Sequence, residues 1–180
     1  MARIKRKIES DIMNWIDSGR EALLLTGARQ IGKTYLIRAC LEEAGIPYVE
    51  FNFIEQKELV DAFSSAADAK ELLMRFSVAA KTALIPGETI FFLDEIQECK
   101  EIVTQIKFLV EEGSYRYILS GSLLGIELKD VRSAPVGYLR IVDMFPMNLE
   151  EFFLANGLQQ TAIEQIREHF TLRVPMDTYV

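Results

Sequence analysis

Eight consecutive residues, Gly27, Ala28, Arg29, Gln30, Ile31, Gly32, Lys33 and Thr34, have the spacing GxxxxGK[ST], and simple chemistry accounts for the pattern. The glycines let the backbone curl so that successive N–H groups point into one concavity. Bulkier residues there would strain the turn or block the approach of an anion. A helix opening near Lys33 adds the partial positive charge of its N-terminus, about half a unit. Lys33 is long enough to reach the β- and γ-phosphates of a nucleotide, and the Thr34 hydroxyl suits Mg²⁺. Tyr35 follows in the first helical turn and completes the candidate cofactor-binding set. Arg29 has two readings of equal weight, a phosphate contact or an ion pair across the loop surface.

A second group of chemically capable residues ends the apolar run Ile90, Phe91, Phe92, Leu93 with Asp94 and Glu95. Such a run buries a strand and delivers the acids at its C-terminal end, where ligands bind in open α/β sheets. Asp94 can hold Mg²⁺ directly or through water. Glu95 can orient and deprotonate an attacking water. Taken alone, a strand ending in Asp-Glu also fits a solvated turn. Ser120 and Ser122 end another apolar run, from Tyr117 to Leu119. Either can hydrogen-bond a γ-phosphate or the attacking water, and a strand-to-helix turn with Ser122 as N-cap is an equally good account.

These residues need elements to carry them. Ile4, Ile8, Ile12, Trp15 and Ile16 recur at helical spacing and predict an opening helix ended by Ser18 and Gly19. Ala22 to Leu25 reads as a strand, Lys33 to Glu43 as a helix closed by Gly45 and Pro47, and Tyr48 to Phe53 as a strand. Residues 56–81 read as helix in one or two pieces, Pro86-Gly87 as a turn, and Thr89 to Leu93 as a strand covered on both faces. Residues 101–112 predict a helix stopped by Gly113, followed by strands over Tyr115–Leu119 and Tyr138–Val142. Asn148 is a candidate cap for a further helix, with Glu150 and Glu151 in its first turn. Strands alternating with helices this long predict an α/β fold with a mainly parallel sheet and helices on both faces. Asn156-Gly157 reads as a boundary, beyond which Ile163, Ile166 and Phe170 outline a short amphipathic helix. The expected division is therefore an α/β domain over 1–156 and, over 157–180, the start of a truncated C-terminal region.

Composition narrows the function classes. The 180 residues carry 20 Lys and Arg against 27 Asp and Glu, a formal charge of −7, which argues against a surface built throughout for nucleic acid. Nearly half the residues (49%) are apolar, enough for a packed core. No apolar run approaches the roughly 20 residues of a membrane span, and the charged start does not look like a secretory signal. Cys40 and Cys99 are the only cysteines and stand far apart, which disfavours a disulfide framework or zinc site and fits a reducing cytoplasm. A single histidine, His169, nearly excludes His-rich metal sites and Ser-His-Asp catalysis. The basic cluster Arg3, Lys5, Arg6 and Lys7 is read either as a solvated helix face or as a contact for DNA phosphates or the nucleotide base.

Together, GARQIGKT (27–34), FLDEIQ (92–97), LSGSL (119–123) and the segment 135–153 resemble the AAA+-type P-loop ATPases. The closest likeness is to a bacterial and archaeal group with GARQxGKT and FLDEIQ motifs, usually followed by a C-terminal domain of unknown function. That resemblance implies a three-layer α/β/α P-loop NTPase with a five-stranded sheet in the order 5-1-4-3-2. It also implies ATP and Mg²⁺ as cofactors, Lys33 and Thr34 at the Walker A positions, and Asp94 and Glu95 at the Walker B positions. Ser122, or less surely Ser120, falls where a sensor residue sits. Related chains often carry a basic residue after the glycine equivalent to Gly137, and this one has Tyr138. Arg132 is the candidate arginine finger in its place, and slow intrinsic hydrolysis is expected. The implied activity is Mg²⁺-dependent hydrolysis of ATP. The alternative is a nucleotide-dependent switch or scaffold with little turnover, working as a homo-oligomer, with a protein partner, or beside a nucleic-acid-processing partner.

Overall fold

A computed structural model of the chain describes residues 5–122 and 137–173. Arg132, the candidate finger, and Arg3 of the basic cluster lie outside the described residues. Five strands, β1 (Ala22–Gly27), β2 (Tyr48–Asn52), β3 (Ile90–Asp94), β4 (Arg116–Ser122) and β5 (Leu139–Met144), form one sheet in the order β2-β3-β4-β1-β5. Every neighbouring pair is parallel, so the expected order is observed, read from the other edge. The helices are α1 (Glu9–Ser18), α2 (Lys33–Ala44), α3 (Lys57–Ser64), α4 (Ala69–Ala79), α5 (Glu101–Glu112), α6 (Leu149–Ala155) and α7 (Gln160–Leu172).

The strand residues sort by parity, because successive side chains leave a strand on opposite faces. Leu24, Phe51, Phe91, Leu93, Tyr117 and Leu119 pack with α3, α4 and α5 in one core. Leu23, Leu25, Ile90, Phe92 and Ile118 pack with α1 and α2 in the other. Each fully buried side chain of this kind contributes about 1.5–3 kcal/mol, so the central strands have no face left for solvent. β5 lies at an edge and exposes Arg140 and Asp143, which is why its pattern is less apolar than those of β1 and β3. Phe51, Phe63, Phe76 and Phe91 meet edge-on or tilted at 4.7–5.6 Å, and this aromatic cluster fastens α3 and α4 to the sheet.

The structure decides between the two readings of 56–81 and moves one boundary. The segment 56–81 is two helices, α3 and α4, because Asp68 caps a fresh start by accepting from the Glu71 N–H. The opening helix starts at Glu9, later than the apolar stripe implied. Residues just before it are held by α6 instead. The Lys7 N–H donates to Glu151 (2.8 Å), the Arg6 guanidinium lies 3.2 Å from the same carboxylate, and the Lys7 ammonium pairs with Glu150. The cap at Asn148 forms as expected, with Glu151 closing a capping box. Arg6 and Lys7 are thus tied to α6, and neither reading of the basic cluster anticipated that. Among the described residues, no helix is long and apolar enough to cross a membrane.

Candidate functional site

Register brings the chemistry to one edge of the sheet. In a parallel sheet all strands end on the same side, and Asn52 pairs with Asp94 while Gly27 pairs with both Ser122 and Met144. Leu93 pairs with Leu119, so the next residues, Asp94 and Ser120, come side by side. The loop 28–32 leaves β1 at this edge and turns into α2.

Gly27 has no room for a side chain. A Cβ there would lie 2.3 Å from the Met144 carbonyl oxygen and 2.7 Å from Ile31 Cδ1. Gly32 has open space around it but takes φ +94°, which L side chains rarely adopt, and this turn starts α2. G27A is therefore expected to destabilise the chain by about 1–3 kcal/mol, through backbone displacement of β5. A thermal midpoint within a degree of the parent would contradict that.

The loop encloses Lys33, which is 6% exposed. Its ammonium donates to the carbonyl oxygens of Ala28 (2.7 Å) and Gly27 (3.2 Å). Burial pushes its pKa below the ordinary lysine value, while the charges of Glu95 and Asp94 oppose that shift and Arg29 adds to it. Both acids therefore converge electrostatically on the ammonium. Arg29 lies exposed on the loop and, among the described residues, makes no ion pair. Ala28, Gln30 and Tyr35 are exposed as well, and Ile31 packs partly against the α1–α2 core.

Thr34 Oγ1 donates to Asp94, at 3.1 Å from Oδ1 and 3.0 Å from Oδ2. The Asp94 carboxylate, 1% exposed, also accepts from the Ser120 hydroxyl and from Asn52 Nδ2 (2.9 Å). Burial raises its pKa, and the hydrogen bonds from Ser120 and Thr34 oppose the rise without cancelling it. A hydroxyl beside a buried carboxylate is the hard-oxygen donor pair that Mg²⁺ takes when phosphate and water oxygens complete its shell. Among the described residues no cluster of three or more His, Cys, Asp or Glu offers an all-protein metal cage.

Glu95 directly follows β3 with φ +57°, a left-handed backbone that is uncommon outside glycine and recurs at functional sites. The chain then makes a 3-10 turn, Ile96–Glu98, which returns Gln97 toward the sheet. Gln97 Nε2 donates to Glu95 Oε2 at 2.5 Å, and Gln97 Oε1 accepts from the Ser122 N–H at 3.2 Å. Ser122 is the last residue of β4, and its hydroxyl is buried with no hydrogen-bond partner among the described residues. Of the two serines, then, Ser120 is spent on Asp94 and Ser122 keeps an uncommitted hydroxyl.

The sequence reading missed Asn52 and Gln97. Asn52 was legible only as a polar residue ending an apolar strand. Its Oδ1 accepts from the N–H groups of Ile54 and Glu55, fixing the turn after β2, while its amide nitrogen reaches Asp94.

A family model described as an AAA domain matches residues 19–153. A solved structure of a RuvB variant from Thermotoga maritima superposes with a TM-score of 0.50 at 14% identity, covering 82% of this chain. The chain spans 48% of that RuvB chain's length, and at this identity the likeness concerns the fold alone. No curated protein sequence gives a significant match.

Proposed function

The chain belongs to the AAA domain family, and from that premise we propose that it binds ATP with Mg²⁺ and hydrolyses it to ADP and phosphate. One observation carries the reading: Thr34 in the first turn of α2 and Asp94 on a distant strand meet at 3.0–3.1 Å, near the buried Lys33 ammonium. Lys33 and the loop N–H groups hold the phosphates, exchanging the carbonyl partners of the ammonium for phosphate oxygens. Thr34 and Asp94 would hold the metal, which would supply neutralisation of phosphate charge. Glu95 takes the proton of the attacking water, and the unpartnered Ser122 hydroxyl contacts the γ-phosphate or that water. Gly27, Ala28, Arg29, Gln30, Ile31, Gly32 and Tyr35 complete the nucleotide-binding set.

A cleft of about 400 Å³ lies at the end of β5, the strand that pairs with Gly27, and its lining mixes Ile8, Val142, Phe145 and Pro146 with charged and polar side chains that include Arg6 and Asp143. We assign the base to it, in keeping with a chain that lacks a guanine-reading Asn/Thr-Lys-x-Asp motif. Arg132 is retained as the finger candidate, and the division into 1–156 and 157–180 is proposed on the Asn156-Gly157 break alone.

The switch reading has its own support. Tyr138, where related chains often place a basic residue, donates its hydroxyl to Glu111 (2.7 Å) and lies under the Lys107 ammonium (5.4 Å). Single-turnover phosphate release separates the two, because a switch releases none without its partner.

Calorimetric titration of ATP with Mg²⁺ or EDTA tests the site, with D94N as the control. ATP affinity should fall on chelation in the parent and be insensitive to Mg²⁺ in D94N. Nucleotide-free D94N should be the more stable protein. A carboxyl whose folded pKa is raised favours folding at pH below the ordinary Asp value and loses that contribution as pH climbs through the raised value. Neutralising it removes that cost at pH 7, so D94N should show the higher thermal midpoint. A parent affinity indifferent to EDTA would count against the metal role, and a lower midpoint for D94N would count against a cost of burying the Asp94 charge.

A further inference from the structure

We propose that Gln97 is a positioning residue that holds the Glu95 carboxylate in one orientation by bracing it on the main chain of Ser122. This rests on the proposed role of Glu95 as base. Glu95 is partly exposed and leaves β3 in a left-handed conformation, so its own backbone does little to aim the carboxylate. Gln97, 8% exposed, supplies the aim. Its side-chain amide has one donor end and one acceptor end, and the two neighbours are a carboxylate and an N–H group. Only one amide orientation satisfies both, because the flipped form sets oxygen against the Glu95 carboxylate and NH₂ against the Ser122 N–H. The bond to Glu95 is charge-assisted and at 2.5 Å the shorter of the two, while the bond to Ser122 is buried.

The brace crosses from the end of β3 to the end of β4, two elements that otherwise meet at this edge through Ser120 and Asp94. It anchors on the residue whose hydroxyl is buried and unpartnered, and whose strand neighbour is Gly27 at the start of the loop. A γ-phosphate contact at Ser122 is thus one residue's side chain away from the base. A general base works only when held within hydrogen-bond reach of its proton, and a displacement of about 1 Å can cost about 100-fold in rate. Gln97 touches neither phosphate nor metal in this arrangement, so its loss should leave nucleotide affinity alone.

The test uses Q97M, which keeps the length and flexibility of the side chain and removes both hydrogen bonds, and Q97N, which keeps the amide but is too short to span. Single-turnover hydrolysis and ATP affinity are measured for each, alone and combined with E95Q. Both single variants should bind ATP within about twofold of the parent and hydrolyse it about 10- to 100-fold more slowly. On the E95Q background, Q97M should change the residual rate by less than about twofold, because the group it positions is already gone. A full rate in both single variants would overturn the inference while leaving Glu95 as the base. So would an equal further loss on the E95Q background, which would mean that Gln97 acts elsewhere. Hydrolysis that survives E95Q alone would remove the base itself, and the inference with it. If Q97M does not fold, Q97N and its E95Q double variant decide the matter by the same comparison.

Discussion

K33A is expected to weaken ATP binding by about 2–5 kcal/mol, or about 30-fold to several thousand-fold. The ammonium lies inside the loop with Gly27 and Ala28 carbonyls as its partners, and both site acids act on it. In the proposed function it is the charge that faces the phosphate tail, and alanine would leave the loop N–H groups to bind the anion unaided. Titration calorimetry reads the change directly, and unchanged affinity would end the phosphate-loop assignment. The same burial predicts a pH dependence. The free ammonium has a lowered pKa, and bound phosphate favours its charged form. As pH rises through the lowered value, binding must take up a proton, so affinity should decline at a lower pH than an ordinary lysine would dictate. In K33A that alkaline decline should disappear.

E95Q is expected to bind ATP about as tightly as the parent while hydrolysing it about 10²- to 10⁴-fold more slowly. Glutamine nearly matches the carboxylate in size but cannot accept the proton of water. The replacement also changes how Gln97 is held, since an amide replaces the charged acceptor of its 2.5 Å hydrogen bond. Glu95 has no part in the Thr34–Asp94 pair, so metal and phosphate binding should persist. Single-turnover release of labelled phosphate is the direct measurement. A rate within threefold of the parent would place the base on another residue, and Ser122 would not qualify, because a hydroxyl is too weakly basic for the task.

Much of this architecture was legible without coordinates, for identifiable reasons. Lys33–Ala44 and Glu101–Glu112 were readable because glycines stop them at positions where the chain takes a left-handed turn, Gly45 and Gly113. The Asn148 cap was readable because its chemistry is confined to four residues. The strand Ile90–Asp94 was readable because a run buried on both faces has no polar alternation to confuse it. Sheet order came from resemblance, since periodicity does not determine which strands become neighbours. The split of 56–81 was ambiguous because residues on both sides of the Asp68 cap have helical spacing. The late start of the first helix could not be seen at all, because the competing partner of Lys7 is Glu151, 144 positions away.

The site divides in the same way. Which residues carry the chemistry is a property of the local chain: a loop with the right glycines, a lysine and a threonine in sequence, two acids at a strand end. How those residues are held is not. Thr34 meets Asp94, Ser120 and Asn52 close around the same carboxylate, and Gln97 bridges Glu95 to Ser122 across gaps of 25 to 60 positions. Hydrogen bonds at about 3 Å depend on strand register and on the exact return of a short turn, and the apolar pattern constrains these without naming which polar groups will meet. The amino-acid sequence named the candidate reactive groups and most of the elements that bear them. Packing of the sheet alone decided which polar groups satisfy one another and which, like the Ser122 hydroxyl, have no partner among the described residues.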